Sequence, residues 1–170
     1  MRYYMWRIIW IGLVFLINDS TLFAQSSRLT YKLKTADSVL LIRHKNIPGA
    51  SVQVIDSAGR EISFPLMVSG KLNPQTVVQR ISLDSNDISK LATILSYRKD
   101  NQIELTKCFN PHHAIILIKD DRFSYIDLCF ACEMFTTSSD IHLIEIEKKT
   151  WKKLHDFFKA RKIDVDVPDF

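Results

Sequence analysis

Three cysteines and two histidines carry the chemistry that this sequence could perform. Cys108, Cys129 and Cys132 lie within 25 positions of one another, and His112 and His113 fall between the first two. Three kinds of chemistry suit that spacing. The first is a metal site, C-x3-H or C-x4-H followed by C-x2-C, whose thiolate and imidazole ligands suit zinc or copper(I). The second is a structural disulfide from Cys108 to Cys129 or Cys132, because exported chains are commonly oxidised; the third cysteine is then left over. The third is thiol redox chemistry at Cys129-Phe130-Ala131-Cys132. Thioredoxin-type pairs sit where a helix N-terminus lowers the first thiol's pKa. Here Glu133 follows the pair, and FTTSS over 135–139 starts no strong helix. Glu133 also excludes haem attachment, which needs a histidine at that position. His44, His142 and His155 belong to no such constellation and read as ordinary surface or core residues.

The elements that must position these residues follow from periodicity. HAIILIK over His113–Lys119 and FSYIDLCF over Phe123–Phe130 read as strands, with a hairpin turn at Asp120-Asp121-Arg122. A turn centred on Asp120-Asp121 gives facing residues whose numbers sum to 241 and sets His112 against Cys129. A three-residue turn sets His113 there instead, because a one-residue slip exchanges the faces of the strand. Either register brings the sulfurs and one imidazole to the open end of the hairpin.

Elsewhere, Ser38–His44 is an apolar run compatible with strand or short helix, and Ser51–Asp56 with Glu61–Pro65 reads as a hairpin. Residues 71–75 read as a loop and Thr76–Leu83 as a strand. A helix capped by Asp84 or Ser85 runs to about Tyr97, with Ile88, Leu91, Ala92 and Leu95 on one face. Ile141–Ile146 alternates like a last strand. Lys148 to Arg161 closes the chain as a helix with Trp151, Leu154 and Phe158 as core anchors. This order predicts an α+β fold: a mostly antiparallel sheet with a central β-hairpin, one internal helix, and a C-terminal helix packed on one face.

The segment CFNPHHAI from Cys108, followed by IDLCFAC from Ile126 to Cys132, resembles a family of exported bacterial proteins of uncharacterised function. Its members carry C-x-x-P-[RH]-[HN]-[AG]-I, a hairpin, and then I-x-[IL]-C-F-x-C. The closing LHDFF helix, ending at Lys162-Ile163, is also similar, and the likeness covers about residues 105–163. The resemblance implies that the cysteine cluster matters, but it brings no activity with it. Relatives often place arginine at the position of His112, which favours His113 as the ligand of the two.

The N-terminus reads as a signal peptide over residues 1–24. Arg2 and Arg7 precede an uninterrupted apolar run, Ile8–Ile17, and Ala24 stands before the expected cut. That run is well short of the roughly 20 apolar residues that span a bilayer. The expected localisation is therefore periplasmic or extracellular, with no stable membrane insertion after cleavage. Residues 25–37 read as a flexible lead-in and 38–170 as one domain.

Removing Arg2, Arg7 and Asp19 with the leader lowers the formal charge from +4 to +3 and leaves 146 residues, enough for one core. The charges are mixed in sign and no nucleic-acid motif is present, so no nucleic-acid partner is expected. Four glycines, none grouped, exclude phosphate-cradling loops. No G-x-S-x-G elbow, HExxH helix or paired carboxylates stand out. The expectation is a non-catalytic binding or structural module whose Cys/His cluster holds a metal or a disulfide. The alternative is a thiol-based redox enzyme.

Overall fold

The two most continuously apolar strands lie at the centre of the sheet, buried from both sides. These are β1 (Ser38–His44) and β7 (His113–Lys119), whose VLLI and AIIL runs show no exposed face. The computed structural model describes residues 28–45, 54–55, 61–62, 65–96, 109–143 and 146–166. β6 (Val77–Ser82), β8 (Arg122–Cys129) and β9 (Met134–Thr137) complete a five-stranded sheet in the order β6-β1-β7-β8-β9, and all its pairs are antiparallel. Two further strand pairs form separate two-stranded sheets, β2 (Val54–Ile55) with β3 (Glu61–Ile62), and β4 (Met67–Val68) with β5 (Lys71–Leu72). Leu72 of β5 packs against Leu40, Ile42, Ala114 and Ile116 on one face of the large sheet. The α+β class with a central hairpin is therefore the observed fold.

Among the described residues, three helices cover one sheet face. They are α1 (28–35), α2 (Ser85–Leu95) and α3 (Lys148–Ala160). Leu29 and Leu33 of α1, Leu91 and Leu95 of α2, and Trp151, Leu154 and Phe158 of α3 meet Leu41, Ile115, Leu117, Ile126 and Leu128 of the sheet in one core. α2 starts at Asp84, whose carboxylate accepts the Asp87 N–H at 2.7 Å and so satisfies an otherwise orphaned donor. α3 ends in a Schellman motif: Ile163 N–H reaches Phe158 O, Lys162 N–H reaches Lys159 O, and Lys162 is left-handed at φ 60°. That reversal carries residues 163–166 back across the end of the sheet.

The β7–β8 turn is two residues long. Lys119 pairs with Arg122, and Asp120 and Asp121 both take positive φ, 48° and 58°, the geometry that matches strand twist. Aspartate tolerates this conformation better than most side chains. Asp37 accepts both the Asp120 N–H and the Lys119 ammonium at 2.8 Å, which braces the turn.

Several sequence expectations are corrected. Within the lead-in expected to be flexible at 25–37, residues 28–35 form α1. Leu29 and Leu33 are one helical turn apart, and burying both against the sheet offsets the ordering of this polar stretch. Residues 71–75 are not all loop, because Lys71 and Leu72 pair in β5. Among the described residues the final strand is Met134–Thr137; residues 141–143 and 146 are in no strand, and 144–145 lie outside the described residues. Ile141, Leu143 and Ile146 still enter the core, so their alternation reports burial without a ladder partner. Of the predicted 51–65 hairpin, Val54–Ile55 pair with Glu61–Ile62 as β2 and β3, and most of the remainder lies outside the described residues.

Candidate functional site

The end of the sheet where β7 begins and β8 ends gathers most of the residues singled out in the sequence. His113 pairs with Leu128, so facing numbers sum to 241. Continuing that register by one residue sets His112 across from Cys129. The His112 backbone bridges two strands: its N–H donates to Leu128 O at 3.3 Å, and its carbonyl accepts the His44 N–H at 2.8 Å. Cys108 lies outside the described residues.

Cys129 and Cys132 form a disulfide across the turn that joins β8 to β9. This pairing replaces the expected bond from Cys108 to one of them. The reason is local: Cys129 pairs with Met134, and the intervening four-residue turn, with Glu133 left-handed at φ 50°, folds Cys132 back onto Cys129. The Cys132 N–H also donates to Cys129 Sγ at 3.3 Å. Cys129 is 2% exposed, whereas Cys132 is half-buried. The pair sits in a β-turn, and among the described residues no helix starts at the pair.

The bridged turn holds Phe130 against α3. Its ring lies 4.9 Å from His113, 5.3 Å from Phe158, 5.6 Å from His155 and 6.1 Å from Trp151, centroid to centroid, mostly edge to face. Such pairs add about 0.5–1.5 kcal/mol beyond area burial. His155 therefore belongs to a constellation after all, and its Nε2 lies 3.6 Å from Asp166. His142 is exposed.

His113 is 2% exposed and faces the helices. Its Nε2–H donates to Asp164 O at 2.8 Å. Burial pushes its pKa down to about 4, against an opposing contribution from the Asp164 hydrogen bond, so the ring is neutral at pH 7. Neighbouring strands complete the grip on Asp164. Gln79 of β6 accepts its N–H at 2.9 Å, and Arg43 of β1 lies 3.4 Å from its carboxylate. Gln79, Arg43 and His113 form one cross-strand row, because Arg43 pairs with both of the others.

On the opposite sheet face, His44 is 4% exposed and its Nε2 lies 2.9 Å from Asp127 Oδ1, while its Nδ1 lies 3.0 Å from Lys45 O. Both ring nitrogens are thus engaged, leaving neither for a substrate. Sequence reasoning missed this pair because its members are 83 positions apart. One signal was present: Asp127 interrupts the apolar run of β8, which a buried strand tolerates only when the carboxylate is paired.

Of the expected metal ligands, Cys129 and Cys132 are bonded to each other and His113 donates to a carbonyl. Among the described residues, no group of three or more His, Cys, Asp or Glu side chains is placed to hold a metal ion. None of the described helices is long and apolar enough to cross a membrane. An open groove of about 860 Å³ between α2 and α3, lined in part by Lys90, Ile94, Phe157 and Arg161, shares no residue with this end of the sheet. Arg161 there stacks 3.3 Å over Phe157 and pairs with Asp87.

No protein-family model, curated protein or solved structure matches the chain.

Proposed function

We propose that this chain is an exported, non-catalytic binding or structural module in which the CxxC pair is an oxidised staple. The observation that carries this reading is Phe130. The disulfide closes the turn on either side of it, and its ring fills the space between His113, Phe158 and Trp151. A catalytic dithiol would need an activated thiolate, and a β-turn followed by Glu133 supplies no helix dipole for one. Two of the nearby histidines are held by structural hydrogen bonds, His113 to Asp164 and His44 to Asp127. Export is supported by the charged start, the apolar run and Ala24, and it would supply the oxidising compartment that the disulfide needs.

The test is expression of the full chain in a bacterium, followed by purification from the cell envelope. N-terminal sequencing should begin at Gln25, and elemental analysis should find metal well below one equivalent. An intact leader would remove the export half of the reading. Stoichiometric zinc or copper would replace the staple with a metal centre.

A further inference from the structure

We infer that the Cys129–Cys132 disulfide is a one-sided thiol–disulfide exchange site, opened at Cys132 by a dithiol reductant. This rests on the disulfide reading above and adds a direction and a consequence to it. Three observations converge. Cys129 is 2% exposed while Cys132 is half-buried, so an incoming thiolate reaches Cys132 Sγ first. The Cys132 N–H donates to Cys129 Sγ at 3.3 Å. That donor stabilises Cys129 as the leaving thiolate, and exchange is faster when the leaving thiol is the more acidic one. The ring locked inside the turn, Phe130, packs on α3 and on His113, which itself holds Asp164.

The exchange balances as follows. The reductant's thiolate attacks Cys132 Sγ, the Cys129–Cys132 bond breaks, and Cys129 departs as a thiolate that takes up one proton. The reductant's second thiol then attacks its own sulfur in the mixed disulfide and releases Cys132, which takes up the second proton. The chain's disulfide gains two electrons and two protons, and the dithiol is oxidised to a disulfide. This order is the reverse of a pair at a helix N-terminus, where the first cysteine is the exposed nucleophile. Opening the turn frees Phe130 from its fixed position against His113 and Phe158.

The experiment treats the oxidised full-length protein, under folding conditions, with limiting reduced glutathione. Glutathione has one thiol and cannot resolve the mixed disulfide with a second of its own, and the acid quench protonates the freed Cys129 before it re-closes the bond. The reaction is acid-quenched and peptide-mapped. The adduct should sit on Cys132 in preference to Cys129 by at least about tenfold. Dithiothreitol opening should change the emission of Trp151, which faces Phe130, while far-UV dichroism is retained. Adducts on Cys129, or no adduct while the disulfide stays intact, would overturn the inference and leave the staple standing. Free thiols at Cys129 and Cys132 before any reductant is added would remove both.

Discussion

The Nε2–H of His113 donates to the backbone carbonyl of Asp164 across 2.8 Å, joining the first residue of β7 to the segment that follows α3. With Gln79 holding the Asp164 N–H and Arg43 its carboxylate, three adjacent strands grip one residue of the returning chain. Ile163 and Val165 on either side of it are buried in the core. The C-terminal segment is therefore part of the domain's closure, and its most titratable contact is a buried neutral histidine.

Stability should depend on pH through that histidine. Its folded pKa, about 4, lies below the ordinary value of 6.5, so the unfolded chain binds the proton first as pH falls. The contribution is fully present above pH 6.5 and is lost progressively down to about pH 4. Its ceiling is about 3 kcal/mol. His113→Gln keeps a donor for Asp164 but cannot titrate, and should flatten urea-melt stability across that window. An unchanged slope in the variant would show that other groups set it.

Reducing the disulfide should lower stability without unfolding the sheet. Closing so short a loop is worth about 2 kcal/mol by chain entropy. Cys129→Ser with Cys132→Ser should show that loss in thermal melts, with five-stranded dichroism retained. Phe130→Ala should cost a comparable ~2 kcal/mol, because it removes a half-buried ring. The two changes should be non-additive, since the staple acts by holding that ring.

Lys162 occupies the left-handed position that ends α3, at φ 60°. Glycine adopts that conformation without the Cβ penalty, so Lys162→Gly should stabilise by about 0.5–1 kcal/mol. A β-branched residue there, as in Lys162→Val, should destabilise. The sign of the glycine change in a denaturant melt is the readout, and a loss of stability would show that the lysine side chain contributes more than the backbone strain costs.

His44 and Asp127 form the buried polar pair on the face away from the helices. Removing one partner strands the other, so Asp127→Ala should cost about 3 kcal/mol. Replacing both with leucine should recover most of that loss. A double variant as unstable as the single one would mean that the pair's geometry, beyond its polarity, is required.

The elements legible in the sequence were those with long periodic signals. α2, α3 and the β7–β8 hairpin follow from apolar spacing over seven or more residues, and Asp84 marks its helix start. α1 was hidden because its polar residues suggested a linker, although Leu29, Leu33 and Ala36 already keep a helical interval. β9 is four residues long and pairs on one edge only, which leaves too little pattern to read. The site was half legible. The turn predicts that the three sulfurs and one imidazole meet at one end of the hairpin. Cys129 and Cys132 lie there, Cys108 is outside the described residues, and the register depended on two aspartates adopting positive φ. What spacing could not reveal was that the cysteines would bond across their own turn, or that His113 would be taken by a residue 51 positions away.

The most direct test of the oxidised staple is disulfide mapping of protein purified from an oxidising compartment, with free thiols alkylated before digestion. The predicted result is a peptide carrying the Cys129–Cys132 link, with Cys108 alkylated and the intact mass lower by the two hydrogens of one disulfide. A bond from Cys108 to either of the others, or three alkylated cysteines in folded protein, would contradict it.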